Sequence, residues 1–224
     1  MEREIDLKEI SDGRLYSSSD MVKADCGDCK GCSACCQGMG SSILLDPYDI
    51  YRLSTGTGLT FEDLLKGRIE LNMSDGLILP NLKMAGEKEA CSFLNGEGRC
   101  SVHPFRPGFC RLFPLGRRYE NGSFQYFLQT HECKKENRTK VKVRKWIDIP
   151  DFGKYEKFVS DWHYFAKEMG QKIKKPLEVK GQDKSKALCL YVLKKFYMEP
   201  FDASVDFYEQ FNKRLEEAKH AAAA

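Results

Sequence analysis

Five cysteines fall within eleven residues, Cys26-Gly27-Asp28-Cys29-Lys30-Gly31-Cys32-Ser33-Ala34-Cys35-Cys36, and thiols at this density share one chemistry, the binding of a soft metal centre. In a C-x-x-C turn both thiolates project to one side of a tight loop while backbone N–H groups point at the sulfurs. Repeating that spacing sets three or four sulfurs around one point. Gly27, Gly31, Ser33, Ala34 and Gly38 are small enough to let the backbone curl around a buried ion or cluster. Neighbouring side chains tend to diverge, so Cys35 and Cys36 are not both expected to fit one undistorted zinc tetrahedron. The pair implies two metals, a larger cluster, or one thiol that supports a ligand instead of being one.

Four further cysteines follow. Cys91 and Cys100 flank Asn95-Gly96-Glu97-Gly98, a hairpin tip by its residue types, and a hairpin brings its end cysteines together. Cys110 comes after Arg106-Pro107-Gly108-Phe109, and Cys133 lies just past an expected strand, Phe124 to Thr130. Nine of the ten cysteines thus precede residue 134, more than the four that one zinc ion or one cubane cluster needs. Repeated C-x-x-C-x-x-C is how bacterial ferredoxins deliver three thiolates to one [4Fe–4S] cluster, although the C-x3-C-P continuation is missing. Structural zinc more often uses two separated C-x-x-C knuckles. The spacing therefore favours an iron–sulfur cofactor, one or two [4Fe–4S] clusters, with zinc as the alternative. His103 and His131 lie close in sequence to cysteines and read as packing or surface residues before ligands. No Ser-His-Asp set, phosphate loop or paired carboxylate stands out, so the sequence carries no catalytic motif outside its thiols and leaves open whether it is an enzyme.

The elements that must position these thiols are short. Hydrophobic residues make up 42% of 224 and aromatics 12%, enough for a core independent of metal. Residues 1–25 read as a polar, loosely docked arm. Ser42 to Leu45 reads as a strand. Asp46-Pro47 starts a helix through about Leu53, ended by Thr55-Gly56-Thr57-Gly58, and Thr60 with Asp63 starts another. Gly76 to Met84 reads as extended and interrupted at Pro80. Lys134 to Lys145 holds seven basic residues against Glu136, with alternation from Lys140 to Ile147 that reads as a solvated edge strand. Helices are expected from Asp151 to Gly170, from Asp183 to Met198 with Cys189 on its buried face, and after Asp202. The fold expected is α+β: a small irregular metal-centred unit of short strands and hairpins over 26–150, covered by C-terminal helices over 151–220, with Ala221 to Ala224 a cloning remnant.

Net charge is only +3, and aromatics do not interleave with the basic run, which argues against a nucleic-acid partner. Met1 to Lys23 lacks an apolar h-region, and about 18 consecutive apolar residues occur nowhere. A cytoplasmic protein without membrane contact is expected, in a compartment where thiols serve metals more than disulfides.

Cys29-x2-Cys32-x2-Cys35-Cys36, Asp46-Pro47-Tyr48-Asp49-Ile50-Tyr51-Arg52-Leu53, Cys91-Ser92-Phe93-Leu94, Cys100-Ser101-Val102-His103 and Arg106-Pro107-Gly108-Phe109-Cys110-Arg111-Leu112-Phe113-Pro114 occur in this order. Over about residues 26 to 135 the chain resembles the YkgJ-type CxxCxxCC proteins, a family described as zinc- or iron-chelating. The resemblance implies ligands at Cys29, Cys32, Cys35, Cys36, Cys91, Cys100 and Cys110, with Cys133 an eighth, while Cys26 extends the run by one step. It implies that Arg106 and Pro107 shape the loop presenting Cys110 and that Arg111 offsets thiolate charge. A related domain occurs in flagellin lysine-N-methylase, where an iron–sulfur cluster is thought important. A redox or accessory role in protein modification, with a partner protein of that kind, is implied. A zinc-stabilised module binding an acidic partner or nucleic acid, and a methylase-like enzyme, are the alternatives.

Overall fold

Two dipeptides, Asp75-Gly76 and Asn121-Gly122, take left-handed backbone at both positions, the conformation of the tight turns that suit the right-handed twist of a hairpin. Each folds a strand pair back on itself in register. The structure, a computed structural model, describes residues 7–27, 29, 32–174 and 181–223. Residues 1–6 of the expected arm, Asp28, Lys30 and Gly31 of the cysteine loop, and Ala224 lie outside these.

Among the described residues the chain runs α1 (Leu7–Ile10), β1 (Met21–Asp25), a 3-10 turn (Ala34–Cys36), α2 (Pro47–Thr57), α3 (Phe61–Leu65), β2 (Ile69–Ser74), β3 (Leu77–Leu82), β4 (Met84–Ala85) and β5 (Ala90–Cys91). After a 3-10 turn (His103–Phe105) come α4 (Gly108–Leu112), β6 (Leu115–Glu120), β7 (Ser123–Leu128), β8 (Thr139–Lys142), α5 (Val143–Ile147), α6 (Phe152–Lys174), α7 (Gly181–Leu193), a π-helical turn (Lys194–Met198) and α8 (Phe207–Ala223). The strands form four antiparallel pairs, β1 with β8, β2 with β3, β4 with β5 and β6 with β7. This is an α+β fold of short hairpins with helices at the C-terminal end. No helix among the described residues is long and apolar enough to cross a membrane.

Several expectations change. The expected arm is docked where it is described: Val22 and Ala24 are buried, β1 pairs with β8, and Ser11 and Tyr16 bridge to β7 and its end. Its polar composition hid this, because only alternate residues of β1 face inward. Pro80 does not interrupt β3 but pairs with Leu71. Its carbonyl accepts the Leu45 amide at 2.9 Å on the other side of the strand, so the missing N–H breaks no bond to β2. Ser42 to Leu45 lies along that side as a single bridge, Leu44 to Asn81, and not as a strand. The basic alternation ends at Lys142, beyond which Val143–Ile147 is helical.

The C-terminal helices pack a run of aromatic rings. Phe158 of α6 meets Phe211 of α8 at 4.6 Å, Trp162 meets Phe196 at 5.1 Å, and Tyr48 of α2 reaches Phe207 at 4.9 Å. Tyr48 thereby ties the cysteine-bearing half to the helical half. Helix α6 passes through Gly170 instead of ending there, and a Cβ at Gly170 would lie 2.2 Å from the Asp75 carbonyl. The glycine admits the β2–β3 hairpin tip, a role that mimics a helix stop in sequence. The last helix is capped by Asp206, which accepts the Glu209 amide at 3.0 Å. Asp202 serves the preceding turn through Ser204. Cys189 is buried as expected and accepts the Ile78 amide at 3.2 Å.

Candidate metal centre

The first cysteine run hangs from β1, whose last residue is Asp25. Cys26 and Cys29 then turn their sulfurs to 3.5 Å from each other, close to the spacing of about 3.8 Å that two thiolates adopt across a tetrahedral zinc. The Cys32 amide donates to the Cys29 carbonyl at 3.1 Å and the Cys36 amide to Ser33 at 2.9 Å, winding the run into the turn Ala34–Cys36. Just past it Gln37 bridges to Ala90, and the Gly38 amide donates to Glu89. That joint brings Cys35 and Cys36 beside Cys91, the end of β5.

The second group is positioned by a closed loop. Leu94 bridges to Cys100, the Asn95 amide donates to Arg99 at 2.8 Å, and the Ser101 amide returns to Phe93 at 2.8 Å. The expected hairpin tip therefore exists and opens Cys100 toward Cys91. Cys110 sits in the middle of α4, whose first amide, that of Gly108, donates to Asp49 Oδ1 at 2.6 Å. A Cβ at Gly108 would fall 2.6 Å from the Tyr155 hydroxyl, so any larger residue there would force α4 and Tyr155 of helix α6 apart.

Electrostatics mark where these thiols converge. Cys35 lies within charge reach of Cys29, Cys36, Cys91, Cys100 and Cys110. The hydrogen bond with Cys36, then burial, push the Cys35 thiol far up. Burial pushes Cys29 up to about 12 and also raises Cys91, Cys100 and Cys110, with neighbouring thiols adding to it. Arg106 opposes the rise at Cys29, Cys35 and Cys100. Without a cation the thiols stay protonated, and a bound metal reverses that.

The two arginines exchange their expected roles. Arg111 is buried and spends its guanidinium on carbonyls: Arg106 at 3.1 Å, Ile147 at 3.3 Å, Asp148 at 3.0 Å and Pro104. It braces the loop before Cys110 against the end of α5. Arg106 acts on Cys29, Cys35 and Cys100, Arg99 also on Cys100 and Arg68 on Cys91; the Arg106 Nη1 lies 2.7 Å from His103 Nε2, which engages that ring nitrogen.

Of the residues named from sequence, Cys29, Cys35, Cys36, Cys91, Cys100 and Cys110 share one neighbourhood. Cys32 is half-buried at the edge of the loop, and Cys133 is half-buried in the segment between β7 and β8 and makes none of these thiol contacts. Cys26, set aside as an extra step, is the partner that Cys29 has. Its C-x-x-C spacing to Cys29 was the available signal. Among the described residues no three or more Cys, His, Asp and Glu side chains are closed tightly enough to hold a metal ion as they stand. The donor chemistry nevertheless fits a thiophilic metal: an all-sulfur set, one pair already at ligand spacing, half-buried or buried, with Arg106 acting on three of the thiols.

This fold and donor set define a cysteine-rich metal-chelating domain of α+β type. The model of the CxxCxxCC family, described as "putative zinc- or iron-chelating domain", matches residues 28–145, more than half of the chain. The chain belongs to the CxxCxxCC family. No curated protein and no solved structure matches it.

Proposed function

We propose that the chain is an iron–sulfur protein whose cluster is held by thiols drawn from Cys29, Cys35, Cys36, Cys91, Cys100 and Cys110, with Cys26, Cys32 and Cys133 as further candidates, in a redox or accessory role. The observation that carries this reading is Cys35, one thiol within charge reach of five others. That is more sulfur than one tetrahedral zinc takes. A bound cluster supplies one-electron chemistry. The chain's own part is to dehydrate the thiols, to lower the cost of their ionisation through Arg106, and to hold their three segments in place through Gln37–Ala90 and Asp49–Gly108. Protein purified without oxygen is expected to be brown and to contain iron with acid-labile sulfide. Colourless protein with stoichiometric zinc and no sulfide refutes the proposal. In the same assay Cys35→Ser is expected to lose more metal than Cys133→Ser.

A zinc-stabilised module is the second reading, favoured by the Cys26–Cys29 pair at 3.5 Å. It predicts folding that a chelator abolishes without any loss of colour or sulfide.

A further inference from the structure

The hairpin of β1 and β8 carries cations that the metal centre does not use. Val22 pairs with Val141 and both turn toward the core. Alternation then sends Met21, Lys23, Lys140 and Lys142 to the outer face, and there Met21 is 50% exposed. Lys23 and Lys140 are exposed there and Lys142 is half-buried; Lys134 before β8, and Arg144 and Lys145 on α5, are exposed. Among the described residues none of these six cations has an ion-pair or hydrogen-bond partner for its side chain. Two acids beside the ribbon are engaged by hydrogen bonds: Asp20 receives Ser17, and Asp25 receives Gly27 and Thr139. Some lysines elsewhere on the surface are paired, as with Lys154 to Asp206, Lys157 to Asp161 and Lys195 to Glu217, while Lys184, Lys186 and Lys213 are exposed and, among the described residues, have no ion pair either. Lys23, Lys140 and Lys142 share this one ribbon, and its first strand ends at Asp25, the residue before Cys26. Lys23 stands about 10 Å along the chain from Cys26.

We propose that this cationic face, centred on Lys23, Lys140 and Lys142 with Met21 as its apolar contact, docks an acidic surface of a partner protein beside the cysteine centre. It rests on the reading above only in what the docked partner meets there. Charge complementarity selects the occupant: unpaired, solvated cations steer an acidic partner to the face and fix its orientation, while a single exposed methionine limits the apolar area to that of a transient complex. A nucleic acid would need aromatic rings between the cations for stacking or a strongly basic chain. This face presents Met21 instead, and the whole chain carries only +3.

The test uses the full-length protein against immobilised poly-L-glutamate and, in parallel, a DNA duplex, at low and at physiological ionic strength. Binding to polyglutamate is expected to weaken about tenfold or more in the variant Lys23→Gln, Lys140→Gln, Lys142→Gln, and to weaken steeply with salt. The control Lys184→Gln, Lys186→Gln, Lys213→Gln removes the same charge from α7 and α8 and is expected to stay within about twofold of the parent. Equal losses in the two variants overturn the proposal, as does tighter binding to the duplex than to polyglutamate at physiological salt. Metal and sulfide are measured on the same samples. A zinc-only protein that loses binding only in the ribbon variant refutes the iron–sulfur reading and leaves the docking face standing; an iron–sulfur protein with equal losses does the reverse.

Discussion

Asp49 Oδ1 accepts the Gly108 amide at 2.6 Å, although the two residues are 59 positions apart. The other oxygen of that carboxylate accepts the Asp46 amide at 3.1 Å, and Asp46 accepts the Asp49 amide at 2.8 Å. One buried side chain therefore closes the capping box of α2 and fixes the start of α4, the turn that holds Cys110. The Asp-Pro-Tyr-Asp block and the Arg-Pro-Gly-Phe-Cys block are two ends of one hydrogen bond.

Asp49→Ala is expected to leave the Asp46 and Gly108 amides without acceptors in a buried site. Losing a cap costs about 1 kcal/mol, and each buried orphan donor about 1–3 kcal/mol. Urea denaturation should show a loss of about 2–4 kcal/mol, with a parallel fall in bound metal. Asp49→Asn keeps an acceptor at Oδ1 and should lose less than half as much.

The same carboxylate gives stability an unusual pH dependence. Burial, only partly offset by the Gly108 and Asp46 amides and Arg117, pushes Asp49 up to about 6, while burial and the nearby Asp49 charge raise Asp46 well above the ordinary range. The folded state thus holds protons that the unfolded chain releases near pH 4. The stabilisation is present in full below about pH 4 and is lost as pH rises through about 6. Denaturation of metal-free protein from pH 4.5 to 7.5 should show this decline, and Asp49→Asn should flatten it relative to the parent.

Replacing Gly108 is predicted to destabilise the fold for a steric reason that can be tested by relief. In Gly108→Ala the new methyl meets the Tyr155 hydroxyl at 2.6 Å, and forced overpacking costs about 1–3 kcal/mol. Tyr155→Phe removes that oxygen at its own cost, because Arg117 donates to it at 2.9 Å. The double variant should therefore be more stable than the sum of the two single losses predicts, a coupling measurable in a double-mutant cycle.

What the sequence showed of this molecule was what its chemistry and local spacing encode. The capping boxes of Asp46 and Thr60 and the aromatic stripes of α6 and α8 each depend on residues a turn or two apart, and they form as read. The hairpin signals Asp75-Gly76 and Asn121-Gly122 were equally local, yet the strands β2 and β6 that they announce escaped notice, since Ile69–Ser74 and Leu115–Glu120 mix polar and apolar residues. Long-range facts were not legible. That Gly170 admits a hairpin tip, that β1 pairs with β8 across more than a hundred residues, and that Arg106 and not Arg111 faces the thiols depend on which segments meet. Composition at those positions was compatible with either outcome.

The thiols supply the last prediction. Burial raises Cys29, Cys91, Cys100 and Cys110, and the bond to Cys36 followed by burial raises Cys35, so near neutral pH a metal must displace a proton from each of these that it binds. Their raised pKa values place ionisation of the metal-free thiols above the ordinary cysteine range, so the metal-free form stays protonated throughout pH 6 to 8. Metal affinity should then climb about tenfold per pH unit for every thiolate ligand, roughly four decades per unit for a four-sulfur site. Competition titration of cobalt or zinc against a chelator of known affinity reads this slope directly. Arg106→Gln removes the cation that favours ionised Cys29, Cys35 and Cys100 and should weaken binding by about tenfold at pH 7 with the slope retained, because it changes the cost of losing each proton and not the number lost. A slope near one proton would mean that these thiols are not the ligands.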